Sequence, residues 1–184
     1  MTRIFSLDPD QYDSPSIDLL RHEWRNIPDI QARNVIAVES QYLEFHHYLL
    51  NNLRHQSIDG GEAIQIGLSV RAGALKTATL LCASIAEAAL RAHAEARQYS
   101  LPADLRRRTF GKVLGAWQLP DNVPQPDVAQ IWDQLQRLHS GRNTVHLYAT
   151  IRAGSNFYDI LQAESQSLTE AETVLTHLRN MVTA

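Results

Sequence analysis

Apolar residues recur at spacings of three and four along most of this chain, the period of an α-helix and not of a strand. Val35, Val38, Tyr42, Phe45, Leu49 and Leu53 form one unbroken stripe of this kind. It predicts a helix from Pro28 to about Gln56, roughly 40 Å long at ~1.5 Å per residue. The glycine pair in "SIDGG" predicts the turn that ends it. Ahead of it, Ser14 followed by Pro15 predicts an N-cap and a first helical position, opening a short helix that reaches about Asn26. A third helix is predicted within Glu62 to Gln98. Its centre, "LKTATLLCASIAEAALRAHAEAR", is built from strong helix formers, and its small residues let a neighbour approach closely. The alternation in the preceding "AIQIGLSVRAG" also reads as a strand, because Gly67 and Gly73 weaken a helix there.

Pro102 predicts the start of a fourth helix bearing Leu105, Phe110, Val113, Leu114 and Trp117. Three prolines in "QLPDNVPQP" then break the chain. A fifth helix is predicted from near Asp127. A loop follows Tyr148, and a last helix is capped by Thr169 with Glu172 and runs to about Met181. Five or more helices with almost no strand signal predict an all-α fold, an up-and-down helical bundle of four to five core helices. Residues 1–27 are expected to form an N-terminal appendage with a short helix, and residues 28–184 the bundle.

Composition narrows the chemistry. The 184 residues are 44% hydrophobic and 20% charged, an ordinary globular balance. The single cysteine, Cys82, excludes a disulfide within one chain and a thiolate metal site; inside "LLCASIA" it reads as a small buried thiol. His46 and His47 are adjacent and diverge by about 100° on a helix, and His47 and His55 are about two turns apart. No metal and no cofactor are therefore expected. His93 and Glu95 read as a solvated helix surface. Asp59-Gly60-Gly61 is a turn without the Gly-Lys-Ser/Thr of a phosphate loop. Trp24, Trp117 and Trp132 lie in or beside apolar stripes and are expected in the core or an interface.

A net charge of −3 argues against broad binding to duplex nucleic acid. The densest basic run, Arg106, Arg107 and Arg108 with Lys112 a turn further on, reads either as a solvated helix face or as a phosphate- or RNA-binding patch. The first residues, "MTRIFSLDPDQYD", lack the apolar region of a secretion signal. No apolar stretch is expected to approach the roughly 20 residues of a membrane span. The expectation is a cytoplasmic protein without membrane contact.

The strongest candidate chemistry lies in "HSGRNTVHLY", residues 139–148. With the fifth helix taken as regular and Val128 at zero, Ile131, Trp132, Leu135 and Leu138 fall within about 80°. His139 falls at about 20°, Arg142 at about 40° and His146 near zero. The polar trio thus extends the packing stripe instead of opposing it, and a guanidinium directed at packed protein needs an anionic partner. A phosphate fits, through two parallel hydrogen bonds. Histidine exchanges protons near neutrality. Arg142 and His146 together suit metal-free RNA cleavage, with Asn143 orienting either group. The alternative is structural: Arg and His near a helix C-terminus favour the helix dipole, and "RN" also occurs at Arg25, Arg33 and Arg179.

"LQRLHSGRNTVHLY", with "ASIAEAALRAHAEAR" and "FGKVLGAW" upstream, resembles the HEPN superfamily over roughly Gln31 to Tyr148. The resemblance implies a four- or five-helix bundle that usually dimerises. Active members are metal-independent endoribonucleases of defence or toxin type, whose Arg, following polar residue and His line a cleft between two subunits. On this chain these are Arg142, Asn143 and His146, with His139, Arg106, Arg107, Arg108 and Lys112 as candidate RNA contacts. Three residues separate Arg142 from His146, where the family pattern usually has four to six. Other members are non-catalytic dimerisation or nucleotide-binding modules. Two expectations stay open: a homodimeric nuclease acting on single-stranded RNA, and a module without enzymatic activity that pairs with itself or with a protein partner.

Overall fold

A computed structural model describes residues 3–6, 13–52, 54–57, 64–65, 68–143 and 157–182. Among these the order is β1 (Arg3–Ser6), α1 (Ile17–Glu23), α2 (Ile30–Asn52), β2 (Arg54–Ser57), β3 (Ile64–Gln65) and α3 (Leu68–Ala96). A 3-10 turn (Leu105–Arg107) then leads to α4 (Phe110–Ala116), α5 (Pro126–Ala129), α6 (Trp132–Asn143) and α7 (Phe157–Asn180). The architecture is an all-α helical bundle with one small antiparallel sheet, ordered β1-β2-β3, at its margin. Arg3 pairs with Ser57 and Ser6 with Arg54 on one side of β2, and Arg54 with Gln65 on the other.

Local chemistry explains where the helices begin and end. Ser16, not Ser14, caps α1, its hydroxyl accepting from the Leu19 N–H at 3.2 Å. Asp29 plays the same part for α2, accepting from Ala32 N–H at 2.6 Å. α2 stops at Asn52, short of Gln56, and the chain turns into β2. The strand reading of "AIQIGLSVRAG" survives only at Ile64–Gln65, since α3 already begins at Leu68. Pro102 opens no α-helix: the Asp104 carboxylate takes the Arg106 N–H at 2.9 Å and closes a 3-10 turn, so α4 starts at Phe110. Thr169 is not a cap either. It lies inside α7, and its hydroxyl donates back to the Ser165 carbonyl at 3.2 Å, the i−4 bond open to a mid-helix threonine.

α3 is the central element. It packs chiefly on α7 and α2, and also meets α4 and α6; α1 leans on α2, and α6 on α7. Ala78, Ala83, Ala86, Ala89 and Ala94 are fully buried along it, so the close approach expected of its small residues is realised. Trp24 and Trp117 are fully buried, and each indole N–H is satisfied: Trp24 donates to Ser40 Oγ at 2.9 Å and Trp117 to the Leu90 carbonyl at 3.1 Å. Trp132 is partly buried against the same core. Trp24 and Ile27, which follow α1, join this core, while β1 pairs with β2 in the small sheet.

The stripe that marks α2 as a helix is not its core face, and one expectation is overturned. The face of α2 that enters the core carries Ile36, Ala37, Ser40, Leu43 and Leu50. The stripe of Val35, Val38 and Tyr42 points outward, with 59%, 53% and 50% of each residue exposed. Further, Val70–Ala96 of α3 is long and apolar enough to cross a membrane, although no stretch was expected to be. Here that helix packs against α2, α7, α4 and α6, and its apolar residues serve those contacts.

Candidate functional site

The predicted fifth helix is interrupted. α5 ends at Ala129, Gln130 and Ile131 form a turn, and α6 starts at Trp132. The phase survives this break: Val128, Ile131, Leu135 and Leu138 are all buried. One turn on, His139 and Arg142 emerge from the packed face into a cavity of about 480 Å³, completed by Glu87 of α3 and by Thr109, Phe110 and Gly111 at the start of α4.

His139 stands edge-on to Phe110, with ring centroids 5.5 Å apart. Gly111 permits this closeness. A Cβ added there would lie 3.0 Å from His139 Nε2, so any larger residue displaces the imidazole. Arg142 Nη1 donates to Glu87 Oε2 in a charge-assisted ion pair. The anion that the phase argument required is thus a carboxylate of the same chain. The Arg142 side chain remains 38% exposed, and that of Glu87 18%. Asn143 is the last residue of α6. His146 lies outside the described residues.

The basic run does not present four free cations. Arg108 turns inward, pairing with Glu95 and donating from Nε to the Pro102 carbonyl at 2.7 Å. Arg107 Nε lies 3.8 Å from Asp104 on the exposed 3-10 turn. Arg106 and Lys112 are exposed.

Three further polar sites were not anticipated. His93, expected in solvent, is fully buried; burial foremost, then the nearby Arg97 charge, pushes its pKa down to about 4, against the pull of Asp127. The signal was its setting between Ala92 and Ala94, which are buried with it. His47 joins α2 to α7. Its Nε2 lies 3.0 Å from Glu172 and its Nδ1 3.8 Å from Glu44, and the Glu44 hydrogen bond raises its pKa in spite of burial. The same bond lowers that of Glu44. Burial, then the His47 charge, lowers the pKa of His46, whose two ring nitrogens have no hydrogen-bond partner. Finally, a wide groove of about 1000 Å³ runs between α5–α6 and α7. In it His177 contacts the Asp127 carbonyl through Nε2 at 2.6 Å and Gln130 through Nδ1 at 2.7 Å. A neutral ring protonated on Nε2 satisfies both contacts. Among the described residues, none of the predicted site residues lines that groove. Among the described residues no three His, Cys, Asp or Glu side chains converge to hold a metal ion.

Comparison with known proteins returns no match: no family model, no curated protein and no solved structure matches the chain.

Proposed function

We propose that this chain is a non-catalytic, HEPN-like helical interaction module. The Arg142–Glu87 ion pair carries this reading. A guanidinium kept for phosphoryl oxygens works best unpaired in a basic cleft, whereas Arg142 is engaged by a less exposed carboxylate from the central helix. With His139 set against Phe110 and Gly111, the cluster ties the end of α6 to α3 and α4. The net charge of −3 agrees with a partner other than bulk nucleic acid.

The cavity favours a second reading. His139 and Arg142 both line it and Arg142 is partly exposed, so a phosphate can compete with Glu87 for the guanidinium. In that reading the chain is a metal-independent endoribonuclease acting on single-stranded RNA as a homodimer, with His146 moving the proton, Arg142 stabilising the phosphoryl oxygens and Asn143 orienting the groups. One experiment separates the two. Purified protein is incubated with single-stranded RNA in EDTA, beside Arg142→Ala and His146→Ala. The module reading expects intact RNA in all three samples. It also expects Glu87→Ala and Arg142→Ala to be coupled in a double-mutant cycle by about 0.5–1 kcal/mol, the scale of a half-exposed pair. Cleavage that both substitutions abolish establishes the nuclease and removes the module.

A further inference from the structure

The groove of about 1000 Å³ between α5–α6 and α7 is walled mainly by hydrogen-bond acceptors. Thr169, Thr173, Thr176 and Asn180 line it at spacings of four, three and four, so they share one face of α7 over about 16 Å at ~1.5 Å per residue. All four are exposed. The threonine hydroxyls donate their protons back into the helix, to the carbonyls of Ser165, Thr169 and Glu172 at 3.2, 2.9 and 2.9 Å. What each hydroxyl offers the groove is therefore lone pairs. Asn180 gives an amide hydrogen to the Thr176 carbonyl, and both His177 nitrogens are occupied by Gln130 and the Asp127 carbonyl. Among the described residues that line the groove there is no lysine or arginine, whereas Asp127 and Glu172 are both present. Each of these side chains is 44% exposed and commits one oxygen, Asp127 Oδ2 to Arg97 and Glu172 Oε1 to His47 at 3.0 Å. Asp127 Oδ1 and Glu172 Oε2 are left to accept.

We propose that this groove binds a linear aliphatic polyamine, with one ammonium group at Asp127 and another at Glu172. An ammonium group carries donors and no acceptor, the complement of this wall. Sugars, peptides and phosphates bring acceptors of their own, for which the wall keeps few donors. Ile131, Met181 and the threonine methyl groups give the methylene stems an apolar surface. The spacing also fits. The His177 contact sets Asp127 level with residue 177, five residues beyond Glu172, so the two carboxylates are separated by about 7–8 Å along α7 at ~1.5 Å per residue. A four-carbon diamine unit spans that gap, whereas a single metal ion needs its oxygen ligands to converge within ~2–2.6 Å of one point. The groove is open, so each ammonium group keeps part of its hydration and the cost of desolvation stays small. The site uses neither His139 nor Arg142 and stands apart from both the module and the nuclease readings.

Calorimetric titration of the full chain at fixed ionic strength tests this, with spermidine, butane-1,4-diamine, butylamine and magnesium chloride as probes. Spermidine and the diamine are expected to saturate one site. Butylamine, which meets only one carboxylate, binds at least tenfold more weakly than the diamine, and magnesium does not displace either polyamine. Glu172→Gln weakens spermidine at least fivefold. Because that change also removes the His47 contact, Thr173→Lys serves as the second variant. It sets a cation in the groove from an exposed helical position, weakens spermidine at least tenfold, and leaves circular dichroism and the unfolding midpoint without ligand those of the parent. Ser140→Lys adds the same charge on the exposed side of α6, outside the groove, and leaves spermidine binding within twofold of the parent. Absence of saturable spermidine binding, equal affinity for butylamine and the diamine, or equal losses in Thr173→Lys and Ser140→Lys overturns the proposal.

Discussion

Gln98 holds a φ of 57° at the end of α3, where the Tyr99 N–H reaches back to the Ala94 carbonyl at 2.9 Å and the Gln98 N–H to Glu95 at 3.1 Å. This is a left-handed helix stop, and glutamine occupies it against the steric preference for glycine. Gln98→Gly is expected to stabilise the fold by about 0.5–1 kcal/mol, read as a higher urea midpoint at unchanged slope. A lower midpoint sinks the argument. Residue identity alone was a good guide for Cys82, whose burial pushes its thiol up to about 12 and keeps it inert. It was a poor guide for His93 and Arg142. Whether an imidazole is solvated, or a guanidinium already paired, depends on carboxylates and alanines from other segments, and no window of neighbouring residues contains Glu87.

Between elements, His47 is the joint that responds to pH. Its raised pKa means that its pairing with Glu44 and Glu172 is fully present below the ordinary histidine value of 6.5 and is lost as pH rises through the higher folded value. The lowered pKa of Glu44 means that its share is present above the ordinary 4.5 and is lost as acid carries pH through the lower folded value. The Glu44–His47 pair within α2 is therefore strongest between about pH 4.5 and 6.5, and the His47–Glu172 contact that joins α2 to α7 weakens as pH rises through the raised His47 value. His47→Gln is expected to lower the melting temperature most within that window and least above pH 8, in melts run across pH; a uniform loss contradicts the assignment. His93 acts in the opposite sense. Neutral in the fold down to about pH 4 and protonated below 6.5 when unfolded, it withdraws stability as pH falls between those values. Helix periodicity placed His47 on α2 but not its partners, because Glu172 is brought to it by the packing of α7.

The whole molecule is organised by the buried alanines of α3, which let α2 and α7 lie close on either side. Ala86, fully buried, has no room for three more carbons. Ala86→Leu is expected to destabilise the bundle by about 1–3 kcal/mol in chemical denaturation, and a neutral result disproves close packing at that point. The all-α class and the approximate place of most helices were readable from the chain because propensity and 3.6-residue periodicity act within a turn or two, but the single helix expected from Asp127 is two, α5 and α6, and α7 begins at Phe157, well before Thr169. Ends were displaced where a side chain competed for a backbone group, as at Ser16 and Asp104. α2 marks the boundary of this local information. It carries two apolar stripes, Ile36, Leu43 and Leu50 on one side and Val35, Val38 and Tyr42 on another, both with helical spacing. Local pattern makes either a core face. Only the fit against α3 chooses, because burial free energy belongs to the contact between elements and not to a stripe alone. In the same way the chain could place His139 and Arg142 on one face of a helix, since that is a matter of angle. That the arginine meets Glu87 was decided by tertiary structure, which alone brings residues 87 and 142 within a hydrogen bond.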